Sequence, residues 1–227
     1  MRSGMTFFWG IVAFFACAGA SSAQGAGAAS APVIALPSGG SFAEKLAAKE
    51  VRRYLYLRTG TLARIVEHAA SIPGSGPAVV VARKDRPILK AARDVKLASE
   101  IAKLGPEEYR IRTMAKDARR IVVIAGGGDA GVLYGAYRFA ERLGVRFSLH
   151  NDIIPDDRIP FGIPPDLDEH GSPLFETRGI QPFHDFPEGP DWWDADDYKA
   201  ILSRLPRLGM NFFALHTYPE GGPNAEP

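Results

Sequence analysis

The stretch ETRGIQPFHDFPEGPDWWDADDYKAILSRLPRLGMNFFALH, Glu176 to His216, decides how this chain is read. Residues 177–183 are short, apolar and rich in strand formers. Residues 195–208 carry apolar side chains at Tyr198, Ile201, Leu202, Leu205 and Leu208, the i, i+3, i+4, i+7 spacing that puts one stripe on a helix. Asp194 is placed as N-cap, and Asp196 and Asp197 set negative charge on the positive end of the dipole. Pro206 removes a hydrogen bond and should kink or shorten the last turn. Gly209 can close the helix in the left-handed conformation. Residues 210–215 form a second apolar run of strand length, expected to be buried. Strand, helix, strand is a βαβ unit, and such units build parallel sheets. Polar residues gather where the strands stop: His184 and Asp185 after the first, His216 after the second. Ligands of α/β sheets bind at the carboxyl ends of strands, so these three are candidate site residues.

Residues 151–173 precede this unit and hold Pro155, Pro160, Pro164, Pro165 and Pro173 with acids between them. Proline fixes φ and removes donors, so the segment reads as a stiff extended connector and a domain boundary. Residues 32–150 then form a first domain. Residues 32–36 read as a strand, followed by the capping box Ser41-Phe42-Ala43-Glu44 and a helix to Arg58, with Gly60 beyond it. The cluster Arg52, Arg53, Arg58 lies toward the negative end of that helix and reads as dipole stabilisation and solvation. Residues 62–66 and 78–82 read as strands, and a weak helix is expected within 88–104. Residues 108–114 and 120–125 pair as a hairpin. A second amphipathic helix spans 130–143 with Asp129 as N-cap, ended by Gly144, and 145–147 is a short strand. The fold class is therefore α/β: an α+β domain with a mixed sheet and two helices, then a βαβ unit.

Gly126-Gly127-Gly128-Asp129-Ala130-Gly131 spells the dinucleotide fingerprint G-x-G-x-x-G between a strand and a helix. Its strand is the second arm of a hairpin, and the candidate ribose acid, Asp152, falls in the connector. A tight strand-to-helix turn is the plainer reading.

Net charge of +1 on 227 residues gives no reason to expect a nucleic-acid partner or an anionic membrane surface. At the N-terminus Arg2 precedes an apolar run over 5–18, about the length of a signal-peptide core and short for a span. Ser21-Ser22-Ala23 fits small-x-small cleavage, with Ala18-Gly19-Ala20 competing; a retained anchor is the alternative. Residues 1–23 are thus expected to be a signal peptide, with a secreted or periplasmic bacterial product and no stable membrane insertion after cleavage. Cys17, the single cysteine, follows Phe14-Phe15-Ala16, a poor lipoprotein box. Cleavage would leave no thiol for disulfide, nucleophile or metal.

The run Gly131-Val132-Leu133-Tyr134-Gly135-Ala136-Tyr137, followed by Glu141-Arg142-Leu143-Gly144-Val145-Arg146-Phe147, resembles the non-catalytic N-terminal domain of beta-hexosaminidases and alpha-glucuronidases. In those enzymes a proline-rich connector leads into a (β/α)8 barrel whose first strand carries Arg-Gly, here Arg178-Gly179. Their second strand ends in an Asn-x-x-x-x-His pattern, here Asn211 to His216. The resemblance implies a carbohydrate-degrading glycoside hydrolase acting on a glycan or polysaccharide with no metal or organic cofactor, and residues 174–227 as the start of the barrel. It implies that Arg178 hydrogen-bonds sugar hydroxyls, a role that suits its planar fork of donors; pairing with a barrel carboxylate is the alternative. It places His216 near the sugar pocket, with His184 and Asp185 lining the site or serving as loop and cap residues. Trp192 and Trp193 are candidates for sugar stacking or for rim packing.

A (β/α)8 barrel takes about 250 residues, and about fifty follow Thr177. Glycoside hydrolysis usually needs two carboxylates flanking the bond. Glu176, Asp185, Glu188 and Asp191 are present, but none sits where the families place that pair. The chain alone is therefore expected to be an inactive fragment, with its catalytic carboxylates beyond residue 227. A non-catalytic carbohydrate-binding or accessory protein is the main rival.

Overall fold

The computed structural model describes residues 32–68, 71–116, 119–160, 163–183 and 189–215. The first strand, β1 (Val33–Pro37), runs into α1 (Phe42–Thr59), and β2 (Arg64–His68) and β3 (Ala78–Arg83) follow. A 3-10 turn over Pro87–Ala92 and α2 (Val95–Ala102) lead to the hairpin β4 (Tyr109–Lys116) and β5 (Arg119–Gly126). Then come α3 (Asp129–Arg142), β6 (Arg146–Phe147), β7 (Asp152–Ile153) and β8 (Asp168–Gly171). The last described unit is β9 (Gly179–Ile180), α4 (Ala195–Arg204) and β10 (Phe212–Phe213).

Six strands make one mixed sheet in the order β2-β1-β3-β5-β4-β8. β2, β1, β3 and β5 are parallel, while the β5/β4 and β4/β8 pairs are antiparallel. Side chains alternate across a strand, and here both faces are covered. Ile34, Leu36, Val79, Val81, Val122 and Ile124 pack under α1 and α3. Ala35, Val80, Ala82, Ile121 and Val123 face the 3-10 turn and α2, through Ile88, Leu97 and Ile101. This explains why β1, β3 and β5 are apolar without alternation: a parallel sheet buried on both sides needs no polar face.

α1 begins at a full capping box, with Ser41 Oγ accepting from Glu44 N at 3.2 Å and Glu44 Oε2 accepting from Ser41 N at 2.7 Å. α4 begins the same way on Asp194 and Asp197. After Arg204 the helix tightens into a 3-10 turn over Leu205–Leu208, where Pro206 cannot donate to the α ladder, and Gly209 closes it at φ 68°. α3 differs from its expected start: Gly128 is the N-cap, and Asp129 is the first helical residue. The Asp129 carboxylate accepts from Ser41 Oγ at 2.8 Å, joining the starts of the two helices.

Two sequence expectations are corrected in the proline-rich segment. It is not merely a spacer, since β8 extends the main sheet beyond β4 and Ile163 enters the core. Arg58 is not a solvated helix-end charge. It is 4% exposed and donates to the carbonyls of Leu143, Pro155 and Asp157, tying α1 to the incoming segment. Buried carbonyls need donors, and a guanidinium supplies several from one position.

Asp152 of β7 organises the next joint. Its side chain is 6% exposed and accepts from the Tyr54 hydroxyl at 2.8 Å, with Arg53, Arg204 and Arg207 around it. Glu50 of α1 also reaches Arg207 at 3.3 Å. The end of α4 is thus docked on the first domain through paired charges. Asp152→Ala should lower unfolding free energy by about 2–3 kcal/mol, because it strips a carboxylate from three partly desolvated guanidiniums. Urea denaturation measures this, and a loss below about 1 kcal/mol would mean solvent already carries the joint.

Candidate functional site

β9 and β10 pair in parallel, Gly179 with Phe212 and Ile180 with Phe213, and α4 connects them. Their carboxyl ends point toward Gln181–Phe183 and Ala214–Leu215. His184, Asp185 and His216, the residues expected to line a site there, lie outside the described residues.

Arg178 lies at the opposite end of the unit. It directly precedes β9, as Asn211 directly precedes β10. Its guanidinium donates to the carbonyls of Gly209 at 2.7 Å and Phe175 at 2.6 Å, and to Glu107 Oε2 at 2.6 Å. It also sits 5.7 Å from the Tyr134 ring centroid. The Arg178 backbone N–H donates to Asn211 Oδ1 at 3.0 Å, and Asn211 Nδ2 donates to Glu107 Oε1 at 2.9 Å. Glu107, from the turn before β4, therefore holds the amino ends of both strands together. Sequence reading pointed to Arg178 and Asn211 but missed Glu107, whose Pro-Glu-Glu turn carries no signal of so distant a contact.

Burial alone would raise the Glu107 carboxyl, but hydrogen bonds from Asn211 and Arg178 reverse that and hold it below the ordinary value of 4.5. A folded pKa below the unfolded one gives stability that is present above the unfolded value and is lost as pH falls through the folded value. Glu107→Gln should therefore be less stable than the parent at pH 7, and the gap should close as pH drops below 4.5. Urea midpoints at both pH values test this, and a constant gap would remove the carboxylate's ionisation from the explanation.

The apolar stripe of α4 is only partly used. Leu205 is 6% exposed, but Leu202, Phe212 and Leu215 are 44%, 44% and 48% exposed. The run over 210–215, expected to be buried, is open among the described residues because one helix and two short strands supply too few faces to cover it. Trp193 packs edge-on against Tyr198 at 5.4 Å, a packing role, whereas Trp192 is exposed.

The glycine run after β5 is closed to a nucleotide. A Cβ on Gly127 would lie 1.8 Å from the Gly105 carbonyl oxygen, and one on Gly131 would lie 2.3 Å from that of Glu108. The backbone of 104–108 lies directly on these glycines, where a pyrophosphate would have to sit. At the crevice between the carboxyl ends of β1 and β3, the Glu44 carboxylate is already in place. It is wholly buried and accepts from Ser41 N, Arg83 N and the Arg86 guanidinium. Among the described residues no cluster of His, Cys, Asp and Glu could hold a metal, and no helix is long and apolar enough to cross a membrane.

Residues 31–139 match the sequence model of the glycosyl hydrolase family 67 N-terminus. Two solved structures share the fold. One is a family GH115 4-O-methyl-alpha-glucuronidase, BtGH115A, with specificity for decorated arabinogalactans; its TM-score is 0.58 at 18% identity, over 81% of this chain and 24% of that one. The other is CpGH84D, with a TM-score of 0.52 at 11% identity, over 81% of this chain and 27% of that one. The chain thus spans about a quarter of the length of these proteins. No curated protein sequence matches it. The chain resembles the N-terminal region of glycoside hydrolases in sequence over the matched span and in its mixed α/β fold.

Proposed function

We propose that this chain is the N-terminal part of an exported glycoside hydrolase that degrades a glycan or polysaccharide, alpha-glucuronidase-like or beta-hexosaminidase-like. The reading is carried by one observation: a domain matching the glycosyl hydrolase family 67 N-terminus is followed, after the β6–β8 segment, by a parallel βαβ unit. A parallel pair is stable only with both faces covered, and Phe212, Leu202 and Leu215 are open. Further βα units packed there would build a (β/α)8 barrel. Its sugar site would lie at the carboxyl ends, with His184, Asp185 and His216 on its rim.

Arg178 has another part in this proposal. Its donors are spent on carbonyls and on Glu107 at the amino ends, the stabilising face of a barrel. It holds strand register and leaves sugar contact to the other end. The catalytic acid and its partner carboxylate would come from later strands, and residues 1–23 would direct export and be removed.

The test compares this chain with a version extended by the downstream reading frame, on aryl uronides and aryl hexosaminides. Hydrolysis by the extended form alone is the expected result. Hydrolysis by the chain as given, or by neither form, would overturn the proposal.

A further inference from the structure

A cleft of about 460 Å³ lies between α3, β8 and the 3-10 turn that follows α4. Arg178 and Gly209 line one side, so it opens toward the amino ends of β9 and β10, away from the carboxyl-end site. Its volume is within the roughly 300–1,000 Å³ of small-molecule sites.

The lining has a specific chemistry. Every guanidinium in it is matched by a carboxylate: Arg138 with Glu141 and Glu169, Arg178 with Glu107, and Arg207 with Glu50. The cleft therefore holds no spare cation to select an anionic ligand. It does hold a spare phenol. Tyr109 lines the cleft, and its hydroxyl has no hydrogen-bond partner among the described residues. Burial raises its pKa, with Arg138, Glu169 and Glu141 close by, so it remains a protonated donor and acceptor. The ring is fixed from behind. A Cβ on Gly171 would lie 2.1 Å from it, so only glycine lets β8 pass there.

We infer that this cleft is an ancillary binding site for a neutral, hydroxyl-rich ligand: a short glycan segment held away from the hydrolytic centre. Vicinal hydroxyls can bond at once to the Tyr109 phenol and to the outer atoms of the Arg138–Glu169 pair, which offers donors and acceptors side by side. The Tyr109 and Tyr134 rings, both in the lining, offer the C–H face of a sugar an apolar wall. A charged ligand would have to break ion pairs to enter, whereas a neutral polyol joins them. The choice of glycan rests on the proposed function; the location rests on the cleft itself.

The experiment titrates the full chain with xylotetraose, cellotetraose and tetra-N-acetylchitotetraose, following amide shifts by NMR. The expected result is saturable binding of at least one of them with a Kd on the order of 1 mM. Shifts should fall on residues 109, 134, 138 and 169–171. Tyr109→Phe removes one oxygen and leaves the ring on Gly171, and should weaken binding about fivefold, the worth of one hydrogen bond. No saturable shift with any of the three, shifts centred elsewhere, equal affinity in Tyr109→Phe, or displacement by inorganic phosphate would each overturn the inference. The two readings fail separately. Cleft binding with an inactive extended enzyme would sink the hydrolase alone, and an active enzyme with a silent cleft would sink the ancillary site alone.

Discussion

Glu44→Ala should lower the unfolding free energy by about 4–5 kcal/mol, a large share of the about 5–15 kcal/mol that holds a typical domain folded. The Glu44 side chain is fully buried at the start of α1, where β1 and β3 end. One oxygen accepts from Ser41 N at 2.7 Å and Arg86 Nη2 at 2.7 Å; the other accepts from Arg83 N at 2.9 Å and Arg86 Nε at 3.0 Å. This bidentate fork is among the stronger pairings a carboxylate makes. Alanine leaves two N–H groups and a guanidinium that is 22% exposed facing a void no other side chain fills. Stranding a buried partner costs far more than the intact pair contributes. Glu44→Gln keeps the shape but turns an amide NH₂ toward donors, so it should lose about half as much. Guanidinium denaturation of both variants provides the measurement. A loss under about 1 kcal/mol for alanine would show that water fills the crevice and that Glu44 is only a helix cap.

The same residue shows what sequence can and cannot carry. Ser41 and Glu44 are legible as a capping box because the partners are three residues apart and the chemistry is local. That Glu44 also grips Arg83 and Arg86 is invisible, since those contacts span about forty residues and depend on β1 lying beside β3. Helices, the hairpin and the apolar strands were legible for the same reason: periodicity, caps and turns are short-range. β8 was not. Asp168-Glu169-His170-Gly171 has no strand composition, and it pairs because Arg110 and Arg112 of β4 present guanidiniums to Asp168. Tertiary pairing there overrides local preference. At the candidate site, sequence placed His184, Asp185 and His216 after two strands. It could not tell which end of the strand Arg178 serves, because the direction of a long side chain is set by its partners.

Gly127→Ala should be among the most damaging single methyls at the described glycines, alongside Gly179→Ala, whose Cβ would also fall 1.8 Å from a backbone oxygen. The added Cβ would fall 1.8 Å from the Gly105 carbonyl oxygen, 2.6 Å from its carbon and 2.9 Å from the Leu104 oxygen. All three are backbone atoms, so no rotamer change relieves the clash. Either the 104–108 turn lifts away or the β5–α3 corner moves. Lifting the turn breaks the bond from Gly127 N to the Glu108 carbonyl at 2.9 Å and carries off Glu107. Arg178 and Asn211 then lose their shared carboxylate. Overpacking of this kind usually costs about 1–3 kcal/mol when side chains can yield; with backbone on both sides the cost should exceed about 4 kcal/mol. Thermal unfolding reads the size, and NMR reads the route: the amides of 178 and 211 should shift although they lie far along the chain from the substitution. Asp129→Ala at the same corner serves as control, because it removes an exposed bond from Ser41 and a surface ion pair with Arg83 and should cost about 1 kcal/mol or less. If Gly127→Ala melts like the parent, the glycine run is not pressed against 104–108, and the case against a nucleotide at this corner falls with it.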